Sequence, residues 1–355
     1  MSVHPIKMPE YPTNSERISL EGHYRKKNKF FALFLISCAV LVAGFAITAV
    51  FAENGIYWLR FGGEGTEEST SDGESTVSED ANDSDGGSVG APLEEPIPEN
   101  AIPVFSTDLS CFDRGKYYMI NESVYTPDID SLLEYDLHAS GAEDPLVLIL
   151  HTHTSEGYLD AVSTYLEEEI GTATYSADES RNVIAVGAVL CDTLNQNGIS
   201  TIHCKVSHDE GGMSGSYSRA ADSIRFFLTH YPSIRYVIDL HRDAILTSEG
   251  EYVRAVTTVG GENVAQVMSV VGSSGGGSAC DNWQENLALA LQLRQALNAD
   301  GAAICRPVTL RNATYNQEIA PYSLLLEIGT GANTVEEAKR AAAMVGEALA
   351  RLIRE

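Results

Sequence analysis

Residues 147–156 read VLILHTHTSE, an unbroken apolar run that ends in two histidines on alternate positions with a glutamate three residues further on. Four consecutive aliphatic residues suit a strand buried on both faces, as in a parallel sheet, and alternate residues of a strand share a face. The carboxyl end of such a strand is where α/β sheets assemble their sites, because the loops there converge over the sheet. Two other stretches have the same form. Residues 236–243, YVIDLHRD, end a buried run in Asp239, His241, Arg242 and Asp243, and residues 323–331, SLLLEIGTG, set Glu327 inside an otherwise hydrophobic strand. A carboxylate there needs a partner.

Outward from these three strands, apolar runs alternate with helical patterns. Residues 182–197 form an amphipathic helix closed by Gly198, 200–206 a strand, and 217–231 a helix stopped by Pro232. Residues 252–259 and 263–271 read as a hairpin turned at Gly260 and Gly261, 283–299 as a helix and 334–353 as the closing helix. The expected fold is α/β: a three-layer α/β/α sandwich with a mostly parallel central sheet, spanning residues 145–355.

The chain before it has a different character. Residues 30–52, FFALFLISCAVLVAGFAITAVFA, carry no charge and at ~1.5 Å per residue are long enough to cross a ~30 Å hydrocarbon core. Arg25, Lys26, Lys27 and Lys29 precede this run and Glu53 follows it. That bias puts residues 1–29 in the cytoplasm and everything after Ala52 outside, so a single-pass anchor in the cell membrane is expected. Residues 53–100 read as a disordered acidic linker, with twelve carboxylates and no Lys or Arg between Phe61 and Asn100. Residues 101–144 form a tyrosine-rich arm, either packed on the main domain or free to contact a partner.

The net charge of -27 excludes nucleic acid as a partner, since that binding needs clustered Lys and Arg. Six cysteines show no CxxC spacing, so a structural zinc knuckle is not expected. In an exported domain they allow two disulfides or simply buried thiols.

Two imidazoles and a carboxylate are a common protein shell for a catalytic Zn2+, with a further glutamate as general acid/base. His153, His241 and Glu156 are the candidate ligands, and Glu327 the candidate proton carrier. The structural alternative for Glu327 is a salt bridge to Arg242 or Arg311.

The segments HTHTSEGY, RNVIAVGAVLCDTLNQNGI, SYSRAADSI, VIDLHRDA, VAQVMSVVG, NWQENLALA, TYNQEIAPYSLLLEIG and NTVEEA occur in an order that resembles the stage II sporulation protein P family. The resemblance covers about the last 210 residues. It implies the fold of zinc-dependent N-acetylmuramoyl-L-alanine amidases and an enzyme that cleaves the muramoyl to L-alanine amide of peptidoglycan during engulfment, with peptide cross-links as a second target. It also implies partners among the engulfment membrane proteins, including a lytic transglycosylase. The family's late glutamate falls on Glu327, and its histidine motifs on His151 with His153 and on His241 with Arg242 and Asp243. For the carboxylate ligand Glu156, Asp178 and Glu179 compete, with Glu156 favoured. His151, Arg242, Asp243, Asn182, Tyr217 and Asn316 then support the ligands or bind substrate. The alternative from another class is a membrane-anchored wall-binding or scaffolding module without catalysis of its own.

Overall fold

The computed structural model describes residues 102–112, 119–138, 145–166, 174–274, 279–299 and 302–354. The expected cytoplasmic segment (1–29), membrane helix (30–52) and acidic linker (53–100) lie outside these residues. Among the described residues no helix is long and apolar enough to cross a membrane.

The three runs that open the sequence reading become neighbouring parallel strands: β3 (Val147–Leu150), β6 (Tyr236–Asp243) and β11 (Ser323–Thr330), in the order β3, β6, β11. Beyond β3 lies β5 (Thr201–His203), also parallel. On the other side β11 meets β9 (Val267–Gly272) antiparallel, and β10 (Val308–Arg311) and β2 (Met119–Asn121) continue parallel to β9. Four strands therefore run one way and three the other. The expected mostly parallel sheet is corrected to a mixed one built from two opposed parallel blocks. The reason is local: β9 is entered from the end of a hairpin rather than through a helical crossover, so nothing enforces the parallel direction.

That hairpin pairs β7 (Tyr252–Val259) with β8 (Glu262–Ala265). Its two-residue loop, Gly260 and Gly261, has φ of 61° and 89°, the left-handed pair that a type I′ turn requires. After Gln266 the chain leaves this ribbon and enters the large sheet as β9. The ribbon belongs to a second sheet of four strands, ordered β4 (Tyr165–Leu166), β1 (Ile102–Thr107), β7, β8. The tyrosine-rich arm thus contributes β1 to one sheet and β2 to the edge of the other. Its short helix α1 (Ile129–Leu133) buries Ile129 and Leu132.

Pleat alternation sorts the core into two layers. Val147, Ile149, Ile238, Leu240, Leu324 and Leu326 face a layer made by α2 (Val183–Gln196), α4 (Trp283–Leu297) and α5 (Val335–Arg354). Leu148, Leu150 and Val237 face α3 (Ser216–His230), through Ile224 and Phe227. The helix ends follow from their sequences. Asn182 caps α2 by accepting from the Ile184 amide. Thr334 and Glu337 form a reciprocal capping box at α5, each side chain accepting from the other's backbone N–H. Helices α2 and α5 approach closely enough that a Cβ at Gly346 would lie 2.8 Å from Thr193 Cβ. Among the described cysteines, Cys191, Cys204, Cys280 and Cys305 form no disulfide, and the last three are buried.

Candidate metal centre

The register of the parallel block decides which side chains meet. Glu327 is the direct partner of His241, and Leu325 of Asp239, on β11 and β6, so all four project to the α3 face. On that face, donor atoms of His153, Glu156 and His241 all lie within 4.8 Å of one another. His241 is 3 % and Glu156 8 % exposed, while His153 is half-buried. The His241 ring stands between two carboxylates: Nδ1 is 3.4 Å from both oxygens of Glu156, and Nε2 is 3.1 Å from Asp239 Oδ1. Burial works against the charge on His241, but the carboxylates of Asp239 and Glu156 outweigh it and hold its pKa well above the ordinary value. His153 lies 5.3 Å from the His241 ring and 5.6 Å from Tyr217, edge-on to both, and burial lowers its pKa.

Glu327 is the odd member. Its Oε2 is buried and accepts no hydrogen bond, and burial, with the Asp243 carboxylate second, pushes its pKa up to about 8. The salt bridges weighed for it do not form. Arg311 pairs with Glu122 at 3.1 Å, and Arg242 points its guanidinium at the carbonyls of Gly157 and Thr174. Arg306 stands near Glu327 but binds Asp243 at 2.8 Å. A half-buried carboxylate with one buried, unpartnered oxygen beside a histidine and carboxylate cluster is suited to carrying a proton, because its proton is neither strongly held nor strongly refused near neutrality.

The remaining candidates divide by what they touch. Arg242 donates its backbone N–H to Glu156 Oε2 at 2.9 Å and clamps the loop that carries Glu156. Asn182 spends its side chain on the α2 cap and on the Ser176 carbonyl. This supports the Glu156 loop, since Val183 N–H bonds the Glu156 carbonyl, and at 1 % exposure the side chain is closed to substrate. Asn316 donates to the Tyr217 carbonyl at 2.8 Å and so braces the aromatic wall formed by Tyr217 and Tyr315. His151 is on the opposite face. Its Nδ1 donates to the Leu240 carbonyl and its Nε2 meets His203 Nε2, both at 2.8 Å, so substrate cannot reach it. Of the competing carboxylates, Glu156 joins the cluster, while Asp178 caps the turn at Ser180.

His208 and Asp209 brace the loop after β3. His208 bonds the His151 carbonyl and Ser223, and Asp209 accepts from the backbone and hydroxyl of Ser155. Sequence reasoning gave no role to Asp239, although it sits two residues before His241 with the same pleat phase. Tyr315 and Asn316, at φ 53° and 60°, carry backbone strain beside the site. No pattern in the sequence signals it.

The donor set fits Zn2+: two imidazoles, one carboxylate, and orphaned buried atoms at His153 Nδ1, His241 Nε2 and Glu327 Oε2 that have no hydrogen-bond partner in the protein.

The family model described as stage II sporulation protein P matches residues 64–350. A stage II sporulation protein P of Bacillus subtilis (strain 168) is 26 % identical over 208 residues, 56 % of this chain and 48 % of the relative. The match thus spans about half the length of that curated relative. Among solved structures, the N-acetylmuramoyl-L-alanine amidase AmiC2 of Nostoc punctiforme is similar at 13 % identity and a TM-score of 0.34, covering 60 % of this chain and 97 % of its own. The CwlD amidase of Clostridioides difficile, solved with the GerS lipoprotein, is similar at 13 % identity and a TM-score of 0.35, covering 57 % and 94 %.

Proposed function

The chain belongs to the stage II sporulation protein P family, and from that premise we propose that it is a zinc-dependent peptidoglycan hydrolase. Its bond is the N-acetylmuramoyl to L-alanine amide, with peptide cross-links as a second target. The observation that carries this reading is the convergence of His153, Glu156 and His241 beside Glu327, whose Oε2 is buried and has no hydrogen-bond partner.

His153, Glu156 and His241 would hold the ion. A bound Zn2+ would supply Lewis acidity toward the scissile carbonyl and the attacking water. Glu327 takes the proton of that water and delivers it to the departing amide nitrogen, and its pKa, raised by burial, suits both transfers. Arg242 holds the Glu156 carboxylate in place through its backbone amide. Tyr217, edge-on to His153, and Tyr315 beside it offer apolar faces on which a sugar or peptide stem can lie.

We further propose that residues 30–52 anchor the chain in the cell membrane with the hydrolase outside, and that other engulfment membrane proteins, including a lytic transglycosylase, are its partners. The experiment that tests the activity is digestion of purified peptidoglycan by the full chain, with and without added Zn2+, followed by mass analysis of the fragments. Free stem peptides and peptide-free glycan, released only with zinc, are the expected products. Intact wall bound by folded, zinc-loaded protein would instead support a wall-binding module.

A further inference from the structure

Asp239 is 5 % exposed, yet among the described residues it has no lysine or arginine within ion-pair distance. Its partners are Thr152 and His241. The Thr152 backbone N–H donates to Oδ1 at 2.8 Å and the Thr152 hydroxyl to Oδ2 at 2.6 Å. Both oxygens are thereby oriented, and Oδ1 is left 3.1 Å from His241 Nε2, within ion-pair distance though off the line of a hydrogen bond. The opposite ring nitrogen, Nδ1, faces Glu156.

The two sides of the ring are therefore not equivalent. Asp239 lies outside the cluster that His153, Glu156 and His241 form, and as an ionised carboxylate it can only accept. Facing it, Nε2 is favourable only with a proton. Glu156 and the Nδ1 lone pair would be two acceptors face to face unless a cation or a proton lies between them. A proton on Nε2 and a cation at Nδ1 satisfies both carboxylates and keeps the cation on the Glu156 side, inside the donor cluster, whereas the reverse would put the cation beside Asp239, outside that cluster.

We propose that Asp239 is a positioning residue that pins His241 as the Nε2–H tautomer, so that His241 offers Nδ1 to the metal. Thr152, one residue before His153, completes the relay by orienting Asp239. This inference rests on the zinc reading above and adds to it which nitrogen binds and what holds the ring. Carboxylates in this role typically contribute 10- to 100-fold in metal affinity.

The test uses Zn2+ alone, titrated against a chromophoric chelator, together with long-range 1H–15N spectra of the histidine-labelled full chain. In the zinc-loaded wild type, His241 is expected to show a protonated Nε2 and a metal-shifted Nδ1. Asp239→Asn, whose amide cannot accept from Thr152 twice and from His241 as well, is expected to bind Zn2+ about 10- to 100-fold more weakly while remaining folded. It should also lose the single-tautomer signature of His241. Thr152→Val, which removes only the hydroxyl, should weaken binding by a smaller factor. Zinc bound through Nε2 in the wild type overturns the inference whatever the variants do, as does unchanged affinity in a folded Asp239→Asn. A wild type that binds no Zn2+ overturns the zinc reading itself, an outcome distinct from both.

Discussion

Two histidine pairs straddle the large sheet at the carboxyl end of β3, one on each face, and they have opposite characters. On the α2 face His151 and His203 are joined at 2.8 Å and anchored to the Leu240 carbonyl. A Cβ at Gly187 would approach His151 and His203 ring atoms to 2.8 Å, so the helix above them is pressed against the pair. On the α3 face His153 and His241 keep polar atoms without hydrogen-bond partners and share their space with carboxylates. The same residue type, two positions apart on one strand end, is structural where its hydrogen bonds close and chemical where they do not.

The largest break in this comparison is expected from His241→Ala, which should lose stoichiometric zinc and peptidoglycan hydrolysis together. A variant with full zinc occupancy by elemental analysis would remove His241 from the ligand set. Next, Glu327→Gln should lower kcat by about 10²- to 10⁴-fold and keep its zinc. Loss of metal in that variant would make Glu327 a ligand instead of a proton carrier.

On the opposite face, His151→Ala should act on stability. It leaves the Leu240 carbonyl and His203 without partners and opens a cavity, at a cost of about 2–4 kcal/mol in urea unfolding. Zinc affinity of the folded fraction should change little. Gly187→Ala should cost about 1–3 kcal/mol by overpacking the same imidazoles.

The subtlest expected difference is in acid response of the metal-free chain. Burial lowers His151 to about 4 and His203 to about 2. Between pH 6.5 and about 4 the unfolded chain therefore binds protons that the folded pair refuses, and acidification destabilises the fold through it. His241 has the opposite sign: its contribution is fully present below pH 6.5 and is lost as pH rises through its raised value. Ring NMR titrations should show His151 neutral and His241 charged at pH 6. Two imidazoles titrating together would erase the distinction.

The site was legible in the sequence to the extent that strand periodicity carries it. His153, His241 and Glu327 each follow from an apolar run ending in polar residues, and Glu156 from its place just after one. The distinction between His151 and His153 was not, because alternation would set both on one face, and they part only where β3 ends at Leu150 and the chain turns before His153. Asn182 reads equally well as a substrate amide or as a cap until the Ile184 amide is placed beneath it. The short strands β1, β2, β4 and β10 went unread for a related reason: with two to six residues each, they exist only because a longer strand offers a ladder to pair with.

By itself, then, the sequence determined the alternation of strands and helices, the hairpin at Gly260 and Gly261, and the residue types that reach the strand ends, because these depend on local period and turn chemistry. Only the tertiary structure decided that β9 enters antiparallel, that Glu327 stands opposite His241, and that Asp239 backs the His241 ring. Those facts depend on pairing between strands more than fifty residues apart in the chain, and a register shift of one residue would turn each side chain to the other face.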